Sequence, residues 1–163
     1  MGLDEIVAQV NHYGPLYVTV TGGEPLTQPA CLLLLARLCD AGYAVSLETS
    51  GALDVSAVDR RVVLVVDLKT PGSGEMARNR YENLALLQAK DQVKFVLCDR
   101  TDYEWAKAQL AEFALAQRCE VLLSPSHGQL DPTLLAEWIL ADRLRVRLQI
   151  QLHKYLWGDV PGR

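Results

Sequence analysis

The sequence predicts an α/β protein: a partial (β/α) barrel of about six mostly parallel strands, its first β/α unit incomplete, in a single domain spanning 1–163. Three observations carry this expectation. Short runs rich in Val, Leu and Ile recur along the chain, and each is followed by a stretch with helix start or stop chemistry. Several of the runs, Val62–Val66 above all, are continuously apolar, which suits strands covered on both faces as in parallel sheets.

Taken in order, Ile6 and Val10 at i, i+4 predict a helix at the start. A strand normally comes first in a β/α protein, so the opening reads as a unit that lacks its strand and loop. Leu16–Val20 is the first strand. Pro29, after Thr27, suits a first helical position, and the apolar block Ala30–Cys39 forms a helix that stops near Gly42. Ala44–Leu47 is the second strand, followed by the polar turn Thr49-Ser50-Gly51 and a short helix capped by Asp54. Val62–Val66 is the third strand, and Thr70–Asn79, with Pro71, Gly72 and Gly74, is expected to be the least ordered stretch. Val93–Leu97 is the fourth, after which Thr101 to Glu104 form a capping box opening a helix to about Arg118. Cys119–Leu123 is the fifth. Asp131-Pro132 then opens a helix whose core face holds Leu134, Leu135, Trp138 and Ile139, and Val146–Ile150 closes the series. There is no internal repeat, low-complexity tract or linker to divide the chain.

Composition excludes several roles. With 16 basic and 20 acidic side chains the net charge is −4, which argues against a phosphate backbone as the main partner: no nucleic acid is expected. No apolar run approaches the ~20 residues a spanning helix needs, so no membrane is expected either. Met1–Gln9 carries Asp4 and Glu5 and lacks the order of a signal peptide, which makes the localisation expected cytoplasmic. Cys31, Cys39, Cys98 and Cys119 form no C-x-x-C pair and sit among Leu, Val and Ala, so they read as small buried thiols rather than a zinc or iron–sulfur knuckle.

Ligands of β/α proteins bind at the carboxyl ends of the strands. There the first strand runs into Thr21-Gly22-Gly23-Glu24-Pro25: two glycines that permit positive φ and close backbone approach, then a carboxylate at the rim. Gly-Gly alone would be an ordinary turn; the full pentapeptide is more specific. Glu48 and Ser50 end the second strand, where a carboxylate and a hydroxyl can hold polar groups of a cofactor or simply make a turn. Asp67 and Lys69, two apart, point the same way and can pair with each other or meet a ligand. Gln151 and His153 likewise share a face at the end of the last run, and Lys154 takes the other. His127 beside Ser124-Pro125-Ser126 is a weaker candidate, and His12 has no motif around it.

Thr21–Pro25 resembles the radical S-adenosylmethionine (SAM) enzymes, whose Gly-Gly-Glu loop faces the SAM amino group. Leu47-Glu48-Thr49-Ser50-Gly51, the stretch from Val66 through Asp67-Leu68-Lys69 to Glu75, and the tail from Leu148 through Gln151-Leu152-His153-Lys154 to Gly158 narrow this. Together they resemble the 7-carboxy-7-deazaguanine synthase family of the queuosine pathway, over effectively the whole chain.

The resemblance implies a partial barrel of the radical SAM type. It also implies a lyase that, when complete, converts 6-carboxy-5,6,7,8-tetrahydropterin to 7-carboxy-7-deazaguanine by a SAM-derived radical ring contraction, using a [4Fe–4S] cluster and Mg²⁺. It places Gly22, Gly23, Glu24, Glu48, Ser50, Asp67, Leu68 and Lys69 at SAM, and Thr21, Gln151 and His153 at the small-molecule pterin substrate. Trp157-Gly158-Asp159 and Arg163 would close the barrel mouth or contact a second subunit, and an open sheet edge allows a homodimer.

The family's C-x-x-x-C-x-x-C cluster loop is absent from these 163 residues, together with its magnesium contact and its early substrate-binding Gln-Gly and Arg positions. The polypeptide alone is therefore expected to be inactive, as a truncated synthase. A non-catalytic ligand-binding or subunit-interaction remnant and a radical SAM enzyme-activating protein are the alternatives.

Overall fold

The fold is taken from a computed structural model, which describes residues 1–158, with the side chain of His153 left out. Six strands form one sheet in the order β1-β2-β3-β4-β5-β6, every neighbouring pair parallel. They are β1 (Tyr17–Val20), β2 (Ala44–Thr49), β3 (Val63–Asp67), β4 (Gln92–Leu97), β5 (Glu120–Pro125) and β6 (Arg147–Leu148). The helices are α1 (Leu3–Tyr13), α2 (Cys31–Asp40), α3 (Arg100–Glu112), α4 (Leu115–Arg118), α5 (Pro132–Asp142) and α6 (Leu152–Trp157). This is the α/β architecture that the recurrent runs predict, and each strand lies beside its predecessor, as in a (β/α) barrel.

The core lies on one face of the sheet. Leu35 and Leu38 of α2, Tyr103 and Ala106 of α3, Leu115 of α4 and Leu135 and Ile139 of α5 cluster with Val45, Leu47, Val93, Phe95, Leu97, Val121 and Leu123. The other face is covered along β3 and β5, where Val65 and Leu122 are buried as the continuous apolar runs predict, and is open elsewhere. In β2 and β4 burial alternates, and the half-buried residues that alternate with the core positions are Ser46, Glu48, Gln92, Lys94 and Val96. Polar contacts cross this open face: Thr19 Oγ1 with Ser46 Oγ at 2.9 Å, Gln92 Nε2 to Glu120 Oε2 at 2.8 Å, and Arg147 with Glu120 at 2.9 Å.

Several element ends differ from the sequence expectation, each for a physical reason. Helix α2 starts at Cys31, two residues after Pro29, because Pro25–Thr27 forms its own turn capped by the Glu24 carboxylate. Helix α3 is capped by Asp99, whose Oδ1 accepts the Asp102 N–H at 2.9 Å, so Thr101 lies inside the helix. It ends at Glu112, and Ala114 at φ 50° separates it from α4; Phe113 there stacks on Tyr81 at 5.3 Å. Asp131 and Pro132 open α5 as expected, Asp131 accepting the Thr133 N–H at 2.7 Å, but Leu134 faces solvent. Asp54 caps a turn, accepting the Ser56 N–H at 2.8 Å, rather than a helix.

The last strand is the shortest, pairing only Arg147 and Leu148 with β5. The chain turns into α6 at Gln151, so Gln151 and His153 do not share an extended face. Asp159 and Arg163 lie outside the described residues. No helix of the described residues is long and apolar enough to cross a membrane.

Candidate functional site

The carboxyl ends of β1, β2 and β3 meet in a cleft. Its larger part, about 550 Å³, is lined by Gly23, Glu24, Ser50, Lys69 and residues through Arg78. A smaller part, about 160 Å³, adds Thr21, Gly22, Glu48, Asp67 and Lys94. Thus Thr21, Gly22, Gly23, Glu24, Glu48, Ser50, Asp67 and Lys69, from three separated segments, come together.

Gly22 at φ 98° and Gly23 at φ 54° let the chain leave β1 and double back into the Pro25–Thr27 turn. A Cβ on either would meet nothing within 4 Å, so conformation, not crowding, calls for glycine here. The turn delivers Glu24 to the end of β2. One carboxylate oxygen accepts from Leu26 N–H at 3.1 Å and Thr49 Oγ1 at 2.9 Å; the other accepts from Ser50 N–H at 2.8 Å, from the Ser50 hydroxyl and again from Thr49. Burial alone would raise the Glu24 pKa, but the bonds from Ser50, Leu26 and Thr49 together hold it below the ordinary carboxylate value. With both oxygens occupied, Glu24 shapes the loop, and the peptide groups of Gly22 and Gly23 remain for a ligand. Sequence reasoning had instead offered this carboxylate to an ammonium.

Asp67 and Lys69 do pair, Nζ to Oδ2 at 2.6 Å, while Asp67 Oδ1 is buried and has no hydrogen-bond partner among the described residues. A carboxylate oxygen with neither solvent nor partner costs free energy, which a donor reaching it would relieve. Leu68, between them, has its side chain in the core, and its N–H donates to the Lys94 carbonyl at 2.8 Å.

The stretch expected to be least ordered is instead tied down. Asn79 holds Lys69 through its backbone. Buried Asp102 accepts from Thr70 Oγ1 at 2.9 Å, Gly72 N–H at 2.8 Å and Cys98 N–H at 2.9 Å. Buried Asn83 likewise donates to the carbonyls of Gly51 at 3.0 Å and Leu53 at 2.8 Å. Sequence reasoning singled out none of these three clamps as part of the site. Lys94 was also missed, although a Lys between the apolar Val93 and Phe95 signals an open sheet face.

Gln151 is elsewhere. It lines a small cleft of about 100 Å³ with His127, Pro125, Ile150 and Tyr155, so the structure joins Gln151 to His127 and separates both from Thr21. The side chain of His153 lies outside the described residues.

Comparison with known proteins shows the family. No family model matches the chain. It is 44% identical over 161 residues to the 7-carboxy-7-deazaguanine synthase of Chlorobaculum tepidum, covering 97% of this chain and 73% of that protein. It belongs to the 7-carboxy-7-deazaguanine synthase family. The synthase of Koribacter versatilis is 41% identical over 172 residues, covering 96% of this chain and 76% of that one. Among solved structures, QueE from Escherichia coli superposes with a TM-score of 0.67 at 24% identity, over 93% of this chain and 64% of that one. SuiB from Streptococcus suis, solved bound to SAM, superposes at 0.63 and 15% identity, over 91% of this chain and 42% of that one. Both share the fold. The chain thus spans about three quarters of the two synthases and less than two thirds of either solved chain.

Of the groups that the synthase family implies, the donor set fits SAM and does not fit the cluster. Cys31 and Cys119 are buried in the core and Cys39 and Cys98 half-buried. Burial raises all four thiol pKa values, that of Cys119 to about 11, against the thiolate character a cluster requires. Among the described residues no three His, Cys, Asp or Glu side chains gather to hold a metal ion.

Proposed function

We propose that this chain forms the ligand-binding cleft of a 7-carboxy-7-deazaguanine synthase, holding SAM at the rim of β1–β3 and the pterin on the adjoining open face of the sheet. The observation that carries the reading is that the Asp67–Lys69 pair, with one carboxylate oxygen buried and unpartnered among the described residues, lines one cleft with the Gly22-Gly23 loop.

SAM offers an ammonium, a carboxylate and ribose hydroxyls. The carbonyls of the Gly22-Gly23 loop suit the ammonium, and Asp67 Oδ1 and Ser50 suit hydroxyl donors. Lys69 supplies positive charge for the carboxylate. Glu24 positions rather than contacts, because its bonds to Thr49 and Ser50 lock the loop onto β2. When bound, SAM supplies the 5′-deoxyadenosyl group that takes hydrogen from the pterin. Thr21, in the smaller part of the cleft at the end of β1, stands between cofactor and substrate.

Calorimetric titration of the full chain with SAM tests the reading. The expected result is weak, one-site binding that Lys69→Met and Glu24→Ala both reduce further. Absence of binding, or tight binding that neither substitution changes, would overturn it.

A further inference from the structure

Lys94 is a charged side chain of the cleft that the assignment above does not use. It lies opposite Asp67 in the β3–β4 register and is only 19% exposed at its side chain. The nearest acid is Glu48, with Oε2 at 3.6 Å, close enough for charge compensation and too far for a hydrogen bond. The other cations lining the cleft are engaged more closely: Lys69 with Asp67 at 2.6 Å, and Arg78 with Glu75 at 3.0 Å. Among the described residues, the Lys94 ammonium therefore has its charge matched and its N–H donors unfilled.

A mostly buried ammonium with empty donors suits an incoming anionic oxygen, which gains a charge-assisted hydrogen bond at little desolvation cost to the site. Its neighbour supplies the complement. Glu48 supplies carboxylate acceptors, and a pterin ring carries amine and amide N–H donors. A ligand bearing a carboxylate on an N–H-rich ring would satisfy both sets together.

Resting on the function proposed above, we propose that Lys94 is the specificity residue that reads the carboxylate of the pterin substrate. It distinguishes carboxylated from plain pterins and leaves the SAM groups to Lys69 and Asp67.

The test is a fluorescence titration of the full chain, in the presence of SAM, with pterin-6-carboxylate and with pterin lacking the carboxylate. Wild type is expected to bind the carboxylated ring roughly tenfold more tightly, the size of one charge-assisted hydrogen bond. Lys94→Met, which keeps the stem, should abolish the preference by weakening the carboxylated ligand alone; Lys94→Arg should retain part of it. If Lys94→Met does not fold, Lys94→Gln gives the same reading. A preference that survives loss of the ammonium overturns the inference. A wild type that binds SAM but shows no carboxylate preference overturns it and leaves the proposed function standing. Failure of wild type to bind SAM and both pterins overturns the two together.

Discussion

Asn79 brackets the backbone of Lys69: its Oδ1 accepts the Lys69 N–H at 2.9 Å and its Nδ2 donates to the Lys69 carbonyl at 2.8 Å. One side chain thereby fixes the peptide on either side of the cation in the cleft. Asn79→Ala should cost about 1–3 kcal/mol in urea denaturation, the range for losing two partly buried bonds, and should weaken SAM binding several-fold. Asn79→Asp keeps only the acceptor and turns a carboxylate toward the Lys69 carbonyl, so it should not restore the affinity.

Glu24 makes the rim acid-sensitive. Its pKa is depressed in the folded chain, so its stabilising contribution is complete above the unfolded carboxyl value, near 4.3, and is lost as the pH falls through the lower folded value. Thermal unfolding of wild type and Glu24→Gln followed from about pH 7 down to about pH 3 should show a stability gap that closes at the acid end. A gap independent of pH would contradict the assignment.

Asp102 is 1% exposed and ties the loop after β3 to the start of α3. Asp102→Ala strands the Gly72 and Cys98 N–H groups, leaves the Thr70 hydroxyl only the Val96 carbonyl, and should cost about 3 kcal/mol by chemical denaturation. Gly72→Ala attacks the same contact from the other side, because its Cβ would lie 2.6 Å from the Asp102 carboxylate. Both variants should also lower SAM affinity.

The two glycines after β1 should respond differently to substitution. Gly23 is in the left-handed helical region, where Ala costs about 1–2 kcal/mol, and Gly23→Asn should recover part of that loss. Gly22, at φ 98°, lies beyond that region, and Gly22→Ala should be the more damaging change, by up to about 3 kcal/mol. Denaturant midpoints would rank them.

Thiol labelling should separate the cysteines. At about pH 8, half-buried Cys39 and Cys98 should react with an aromatic disulfide reagent in the native chain. Buried Cys31 and Cys119 should react only on unfolding. Mass mapping of the labelled peptides checks the order.

What the sequence made legible was local or periodic. The β runs, the Asp131-Pro132 cap and the Gly-Gly turn each declare themselves within a few residues. Misplaced ends arose where two local signals competed and packing decided, as when Asp99 rather than Thr101 capped α3, or when Phe113 stacked on Tyr81 and ended the helix early. The clamps were hidden for another reason. Asp102 meets Thr70 and Asn83 meets Gly51 across 32 residues each, and nothing in the short-range pattern links such pairs. The open face was partly readable, since Ser46 and Glu48 alternate with Val45, Leu47 and Thr49, but the continuous apolar run of β3 masked it.

Strand order has a consequence for biosynthesis. Because each strand settles against the one made just before it, the ligand rim from Tyr17 to Asp67 leaves the ribosome as one uninterrupted piece. Its docking partner β4 and the Asp102 clamp follow only later in translation, at about 5–20 residues per second. The nascent chain thus holds the segments of β1–β3 before Lys69, Lys94 and the Asp102 clamp, which complete and stiffen the cleft, have been made, and slow decoding between Asp67 and Asp102 would prolong that interval.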